Sequence, residues 1–175
     1  MENSKAIVLM YHKIGLPVKG TKMRSLYIPP YILDSHFKYL KRHHYNVIPL
    51  KDIVTMIKNN KYFPPKTIAI TFDDGSATLF DFGINILKKY NFPITVFLLA
   101  ELIGKNNCWD IAKGEKSDKL LDLKQIEELS KYNVEFGSHG LIHKQLASIP
   151  SADAEKEIFE SKTLLQDLLC KDINL

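Results

Sequence analysis

With 175 residues, 45% hydrophobic and 25% charged, the chain has an ordinary globular balance and length enough for one hydrophobic core rather than two. Twenty-four lysines and arginines against 20 acidic residues leave a formal +4, spread along the chain without a basic block, which argues against nucleic acid as a partner. No run approaches the ~18 apolar residues of a membrane span. Cys108 and Cys170, far apart, make neither a disulfide framework nor a metal-type CxxC pair.

The first short apolar run is 6–12 (AIVLMYH), read as a strand. It is too short for an export-signal core and no small-residue cleavage site follows, so the expectation is a cytoplasmic chain. Residues 30–44 follow as a helix, with Leu33, Phe37 and Leu40 at i, i+4 and i+7 making one apolar stripe. A strand at 46–50 leads to a helix at 51–59, and the strand 67–74 (TIAITFDD) to a helix at 77–90. The run 94–100 (ITVFLLA) is the next strand, followed by a helix at 123–132 and a strand at 134–139. The last helix spans 151–169, with Ser151 at its cap position and Asp153 and Glu155 in the first turn. Residues 172–175 look like the approach to a further strand.

Strands that are apolar almost throughout, alternating with amphipathic helices, predict an α/β fold with a parallel sheet buried on both faces. About five β/α units are present, whereas a closed eight-stranded barrel takes ~250 residues. The expectation is one incomplete domain over 1–175 that stops before a barrel closes.

In such folds the functional groups gather at the C-terminal strand ends. Here those ends carry His12, then Asp73 and Asp74, then His139 with His143 four residues later. Each has a bland reading: a core histidine, carboxylates capping the next helix, a chance HxxxH. Together, two imidazoles and a carboxylate could make an open metal site with a spare carboxylate beside it.

The residues Thr71-Phe72-Asp73-Asp74-Gly75 and His139-Gly140-Leu141-Ile142-His143 resemble the TFDDG and H-[ST]-x-x-H motifs of the polysaccharide deacetylases, the NodB-homology group. Leu9-Met10-Tyr11-His12 and the segment from Ile103-Gly104-Lys105 to Trp109-Asp110 are similar to its poly-N-acetylglucosamine de-N-acetylase branch. The resemblance implies an incomplete (β/α) barrel of the NodB type. It implies that Asp74, His139 and His143 hold a divalent metal, zinc first, with nickel or cobalt as alternatives. Asp73 would be the general base that deprotonates the attacking water, and His12 the acid that protonates the departing amine. The implied reaction removes N-acetyl groups from an N-acetylated glycan and releases acetate.

Two departures stand out. Gly140 occupies a position where Ser or Thr is usual, and the family's later Arg/Pro and Asp/Trp segments are not in the 175 residues. They leave open an inactive remnant, or a metal- or glycan-binding module; a metal amidohydrolase of a small cyclic amide is the remaining alternative. An incomplete sheet also predicts an open apolar edge capable of self-association. Although the chain shows no export signal, the branch it resembles often works at the cell envelope. His36, His43 and His44 are expected to face solvent, Tyr27, Tyr31 and Trp109 to be surface or core aromatics that could stack on sugars, and both cysteines to be ordinary thiols.

Overall fold

The computed structural model describes residues 5–175; residues 1–4, on which the reading of the N-terminus partly rests, lie outside them. In chain order the elements are β1 (Ala6–Tyr11), β2 (Lys13–Ile14), β3 (Tyr27–Ile28), α1 (Pro30–Arg42), β4 (Asn46–Val47), α2 (Leu50–Lys58), β5 (Thr67–Phe72), α3 (Ile84–Tyr90), β6 (Ile94–Leu98), α4 (Cys108–Ile111), α5 (Leu123–Leu129), β7 (Val134–Ser138) and α6 (Ser151–Leu169). All five expected strands form, and all pair in parallel.

The central strand is β5. It pairs with β1 along its whole length, from Ala6 opposite Thr67 to Tyr11 opposite Phe72. Its N-terminal residues Thr67 and Ile68 also pair with β4, and its C-terminal residues Thr71 and Phe72 with β6. Since β1 occupies one edge of β5, β4 and β6 share the other edge, one beyond the other. β7 continues the sheet on β6. Parallel pairing brings the C-terminal ends of β1, β5, β6 and β7 to the same end of the sheet. The sheet is open among the described residues: β1 and β7 are its two ends. Beside β7 the Ser138 N–H donates to the Leu175 carbonyl at 2.8 Å, so residues 172–175 do approach the sheet, though no strand forms there.

The core explains the pattern. Every residue of β5 is buried. The predicted stripe of α1 is realised, with Leu33 and Phe37 fully buried, and it joins Ile68, Ile70, Phe72, Val96 and Leu98 in one cluster. Fully burying side chains of this size stabilises by about 1.5–3 kcal/mol each. β1 does not fit the expectation of burial on both faces. Ile7, Val8 and Met10 are 52%, 47% and 60% exposed, because β1 is an edge strand and the described residues cover its two faces only in part.

Other details differ as well. The expected helix at 77–90 is a π-helical turn, Leu79–Gly83, running into α3. Ser151 is the first helical residue and not the cap; Pro150 holds that position and supplies no side-chain bond. The two-residue β2–β3 ladder and the four-residue α4 are too short to leave a periodic signal.

Candidate metal centre

The end of β5 is shaped by its neighbour and by two left-handed residues. The Asp73 N–H donates to the Tyr11 carbonyl at 2.8 Å, which extends the β1–β5 ladder and sets Asp73 abreast of His12. Asp74 and Gly75 then turn with φ of +69° and +64°. Glycine is favoured at 75 by this φ and by space, since a Cβ there would stand 2.8 Å from Leu98 Cδ2 and force that buried side chain to shift. Asp74 is held in a conformation that costs a non-glycine residue about 1–2 kcal/mol. The turn sends its carboxylate inward, 4% exposed, and neither aspartate caps the helix that follows.

His139 leaves β7 with its N–H on the Leu98 carbonyl at 2.8 Å. The segment 140–142 then curls without helical structure, and His143 adopts φ +66°. As a result His139 Nε2 and His143 Nε2 lie 3.3 and 3.2 Å from the same oxygen, Asp74 Oδ1. The three candidate ligand atoms fall within 4.8 Å of one another. Asp74 Oδ1 is buried and has no directed hydrogen bond among the described residues; nor has the buried Asp73 Oδ1. Ligands about 2.1 Å from a tetrahedral ion stand ~3.4 Å apart, so this donor set could hold a divalent cation, and the orphaned oxygen is the atom such an ion would satisfy.

Burial alone would raise the Asp74 carboxyl, but the contacts with His139 and His143 outweigh it and hold the group well below the usual carboxylate range. The Asp74 contact raises His143, with burial opposing and Asp110 adding a smaller pull. Asp73 goes the other way. Burial pushes it above its ordinary value and Asp74 reinforces that, while His139 and His12 draw it back.

His12 is half-buried at the end of β1. The next two residues fix it: Lys13 and Ile14 are 2% and 0% exposed. Lys13 Nζ lies 2.7 Å from Asp118 Oδ2, and the Tyr27 hydroxyl donates to that same oxygen at 2.7 Å. Tyr27 is thereby committed to a structural bond, and Tyr31 is exposed. Trp109 stacks on the His143 ring, centroids 4.7 Å apart and 10° from parallel, so it buttresses a candidate ligand. His36, His43 and His44 face solvent as expected, His36 also meeting the Tyr11 hydroxyl at 3.0 Å, and both cysteines are free and exposed. Lys13 and Asp118 were not singled out in the sequence. A lysine between His12 and an apolar residue was the only sign of a buried anchor. No helix of the described residues is long and apolar enough to cross a membrane.

Comparison with known proteins points in one direction. A family model described as polysaccharide deacetylase matches residues 60–175. The chain is 28% identical over 149 residues to the poly-β-1,6-N-acetyl-D-glucosamine N-deacetylase of Staphylococcus epidermidis, covering 79% of this chain and 49% of that one. It is 26% identical over 165 residues to YxkH of Bacillus subtilis, covering 94% and 53%. The chain thus spans about half the length of the curated relatives it matches. Among solved structures, the Streptococcus pyogenes deacetylase PplD matches with a TM-score of 0.77 at 23% identity, over 96% of this chain and 70% of that one. IcaB from Ammonifex degensii also gives 0.77, at 16% identity, over 96% and 71%. At these identities the structures speak to the fold alone: the open sheet corresponds to part of a NodB-type barrel.

Proposed function

The chain belongs to the polysaccharide deacetylase family, and from that premise we propose that it removes N-acetyl groups from an N-acetylated sugar polymer by metal-dependent hydrolysis, releasing acetate. The observation that carries this reading is the convergence of Asp74 Oδ1, His139 Nε2 and His143 Nε2 on one point, with a second carboxylate, Asp73, beside it. The curated relatives named for poly-β-1,6-N-acetyl-D-glucosamine make that polymer the first substrate to try. Asp74, His139 and His143 would hold the cation, for which the nitrogen-rich donor set suits zinc, with nickel or cobalt as alternatives. When bound, such an ion polarises the acetyl carbonyl and acidifies water.

The chain's own residues carry the proton transfers. Asp73 takes the proton of the attacking water at a carboxylate oxygen, and the burial that raises it makes it a stronger base than an exposed aspartate. His12, abreast of Asp73 across the β1–β5 ladder, gives a proton to the sugar nitrogen as the C–N bond breaks. Protonation is needed because an amide nitrogen leaves poorly as an anion. Acetate and a free amino sugar result.

The test is a zinc titration of the metal-stripped protein beside an Asp74/His139/His143 triple-alanine variant, followed by acetate release from poly-N-acetylglucosamine. Stoichiometric binding lost in the variant, together with acetate release, is the expected result. Equal binding by both proteins would overturn the site. Zinc binding with no acetate from any N-acetylated glycan would overturn the activity and leave a metal-binding module.

A further inference from the structure

We propose that Glu157, on α6, is a positioning residue for the metal centre, and that it forms a matched pair with Gly140. This inference rests on the reading of Asp74, His139 and His143 as metal ligands.

Two histidines four apart face one ion readily when a helix carries them, because the helix sets their directions. Here residues 139–143 have no helical structure, so something outside the segment must fix where the rings point. Two elements do so from opposite sides. The carbonyls of Gly140 and Leu141 accept from the N–H groups of Ala100 and Glu101 at 3.0 and 3.2 Å. The N–H groups of Leu141 and Ile142 donate to a single oxygen, Glu157 Oε2, at 2.8 and 3.3 Å. The segment between the ligands is clamped, with its donors on α6 and its acceptors on the turn after β6.

Glu157 is an expensive residue to place there. It is 2% exposed, and its nearest ion-pair partner, Lys144, is 3.6 Å away and partly open to solvent. A carboxylate buried with so little compensation is explained by the two N–H groups it holds. The same face of α6 carries Ser161, fully buried, whose Oγ lies 2.6 Å from Ser138 Oγ just before His139. Leu165 follows in the core. Glu157, Ser161 and Leu165, at i, i+4 and i+8, make one buried stripe whose two polar members both meet the histidine segment.

Gly140 is the other half of the pair. Its φ is +89°, and a Cβ there would stand 3.2 Å from Glu157 Oε2. A glycine here, in place of the usual Ser or Thr, leaves the carboxylate room for this approach. A Cβ at 140 would make Glu157 Oε2 give by a few tenths of an ångström, and the positive φ would strain any other residue there, so a side chain at 140 loosens the clamp on the histidine segment.

The experiment measures zinc affinity of the metal-stripped 175-residue protein by chelator competition, with thermal unfolding of each metal-free variant as the folding check. Glu157→Ala is expected to bind zinc at least ~10-fold more weakly than wild type, the usual effect of losing a group that orients a ligand. Glu157→Gln, which keeps an accepting oxygen, should stay within ~3-fold. Leu165→Ala, on the same stripe, should unfold at a lower temperature yet bind zinc normally when folded. Wild-type affinity in Glu157→Ala, or an equal loss in Leu165→Ala, would overturn the proposal while leaving the metal site intact. Should Glu157→Ala not fold, Gly140→Ala decides: a ~10-fold loss is expected, and wild-type affinity overturns the pairing. A wild-type protein that fails to bind zinc at all would remove the metal reading itself, and this inference with it.

Discussion

β5 and β1 are paired residue for residue, yet they hold their functional ends in different ways. β5 is buried throughout, with β1 on one edge and β4 and β6 on the other. β1 has only β5 beside it in the sheet and leaves Ile7, Val8 and Met10 open to water. Asp73 and Asp74 therefore hang from the best-supported strand of the molecule. His12 hangs from an edge strand, and what steadies it comes afterwards, in the buried Lys13 and Ile14 and the contacts of Lys13 with Asp118 and Asp110. On the proposed reading, the metal arm, through its ligand Asp74, is held by the core, and the acid arm, through His12, by one buried lysine that meets two carboxylates. The two arms should fail separately.

The largest effect falls on Asp73, the proposed base. Asp73→Asn is expected to lower acetate release by ~10²–10⁴ while zinc content stays at wild-type level, measured by metal analysis beside the activity assay. Loss of zinc in that variant would show that the two aspartates do not divide the work. Packing comes next. Ile70→Ala, at a site 1% exposed, should cost about 2–5 kcal/mol in a denaturant titration, while Met10→Ala should change stability by less than about 0.5 kcal/mol. Equal costs would mean that β1 is covered in solution, by a second copy or by another partner. Lys13→Met is comparable in stability and sharper in meaning. Lys13 faces Asp118, 22% exposed, at 2.7 Å and Asp110, 3% exposed, at 3.9 Å, and removing one partner of a buried ion pair costs about 3–5 kcal/mol. Acetate release should fall with the acid misplaced, while zinc affinity holds. A parallel fall in zinc affinity would join the two arms into one.

Legibility followed the same division. The strands of the sheet, the stripe of Leu33, Phe37 and Leu40, and the five ionisable residues at the strand ends were all readable, because continuous apolar runs and period-3.6 stripes follow from burial itself. What holds those residues was not. Lys13 and Glu157 are charged, and a charged residue beside a strand or on a helix reads as solvent-facing; their burial depends on partners 105 and 16 residues away. The exposure of β1 was hidden for a related reason. Its sequence is as apolar as that of β5, and only the topology decides that β5 takes the centre and β1 the edge. Trp109 reads as a surface or core aromatic that could stack on sugar, and in the fold its ring stacks on His143. Nothing local in the sequence distinguishes those two uses of an aromatic ring.

The smallest expected effect concerns pH and the metal-free protein. The Asp74 carboxyl sits below its ordinary 3.8, so the stability it contributes is present above pH ~4 and is lost as pH falls further, through its folded value. His143 sits above its ordinary 6.5, so its contribution is complete below pH 6.5 and is lost as pH rises through its folded value. The two windows overlap between about pH 4 and 6.5, where the imidazolium and the carboxylate face each other. The unfolding temperature of metal-free protein should therefore fall as pH rises above about 6.5, and the fall should disappear in Asp74→Asn. With zinc bound the slope reverses, because the cation takes neutral imidazoles and protons compete with it for the same nitrogens. The same Asp74 oxygen then stabilises a charge on the ion instead of on the ring. A metal-free slope that survives in Asp74→Asn would place its origin outside the triad and remove the pairing of Asp74 with His143 as the charge balance of the metal-free protein.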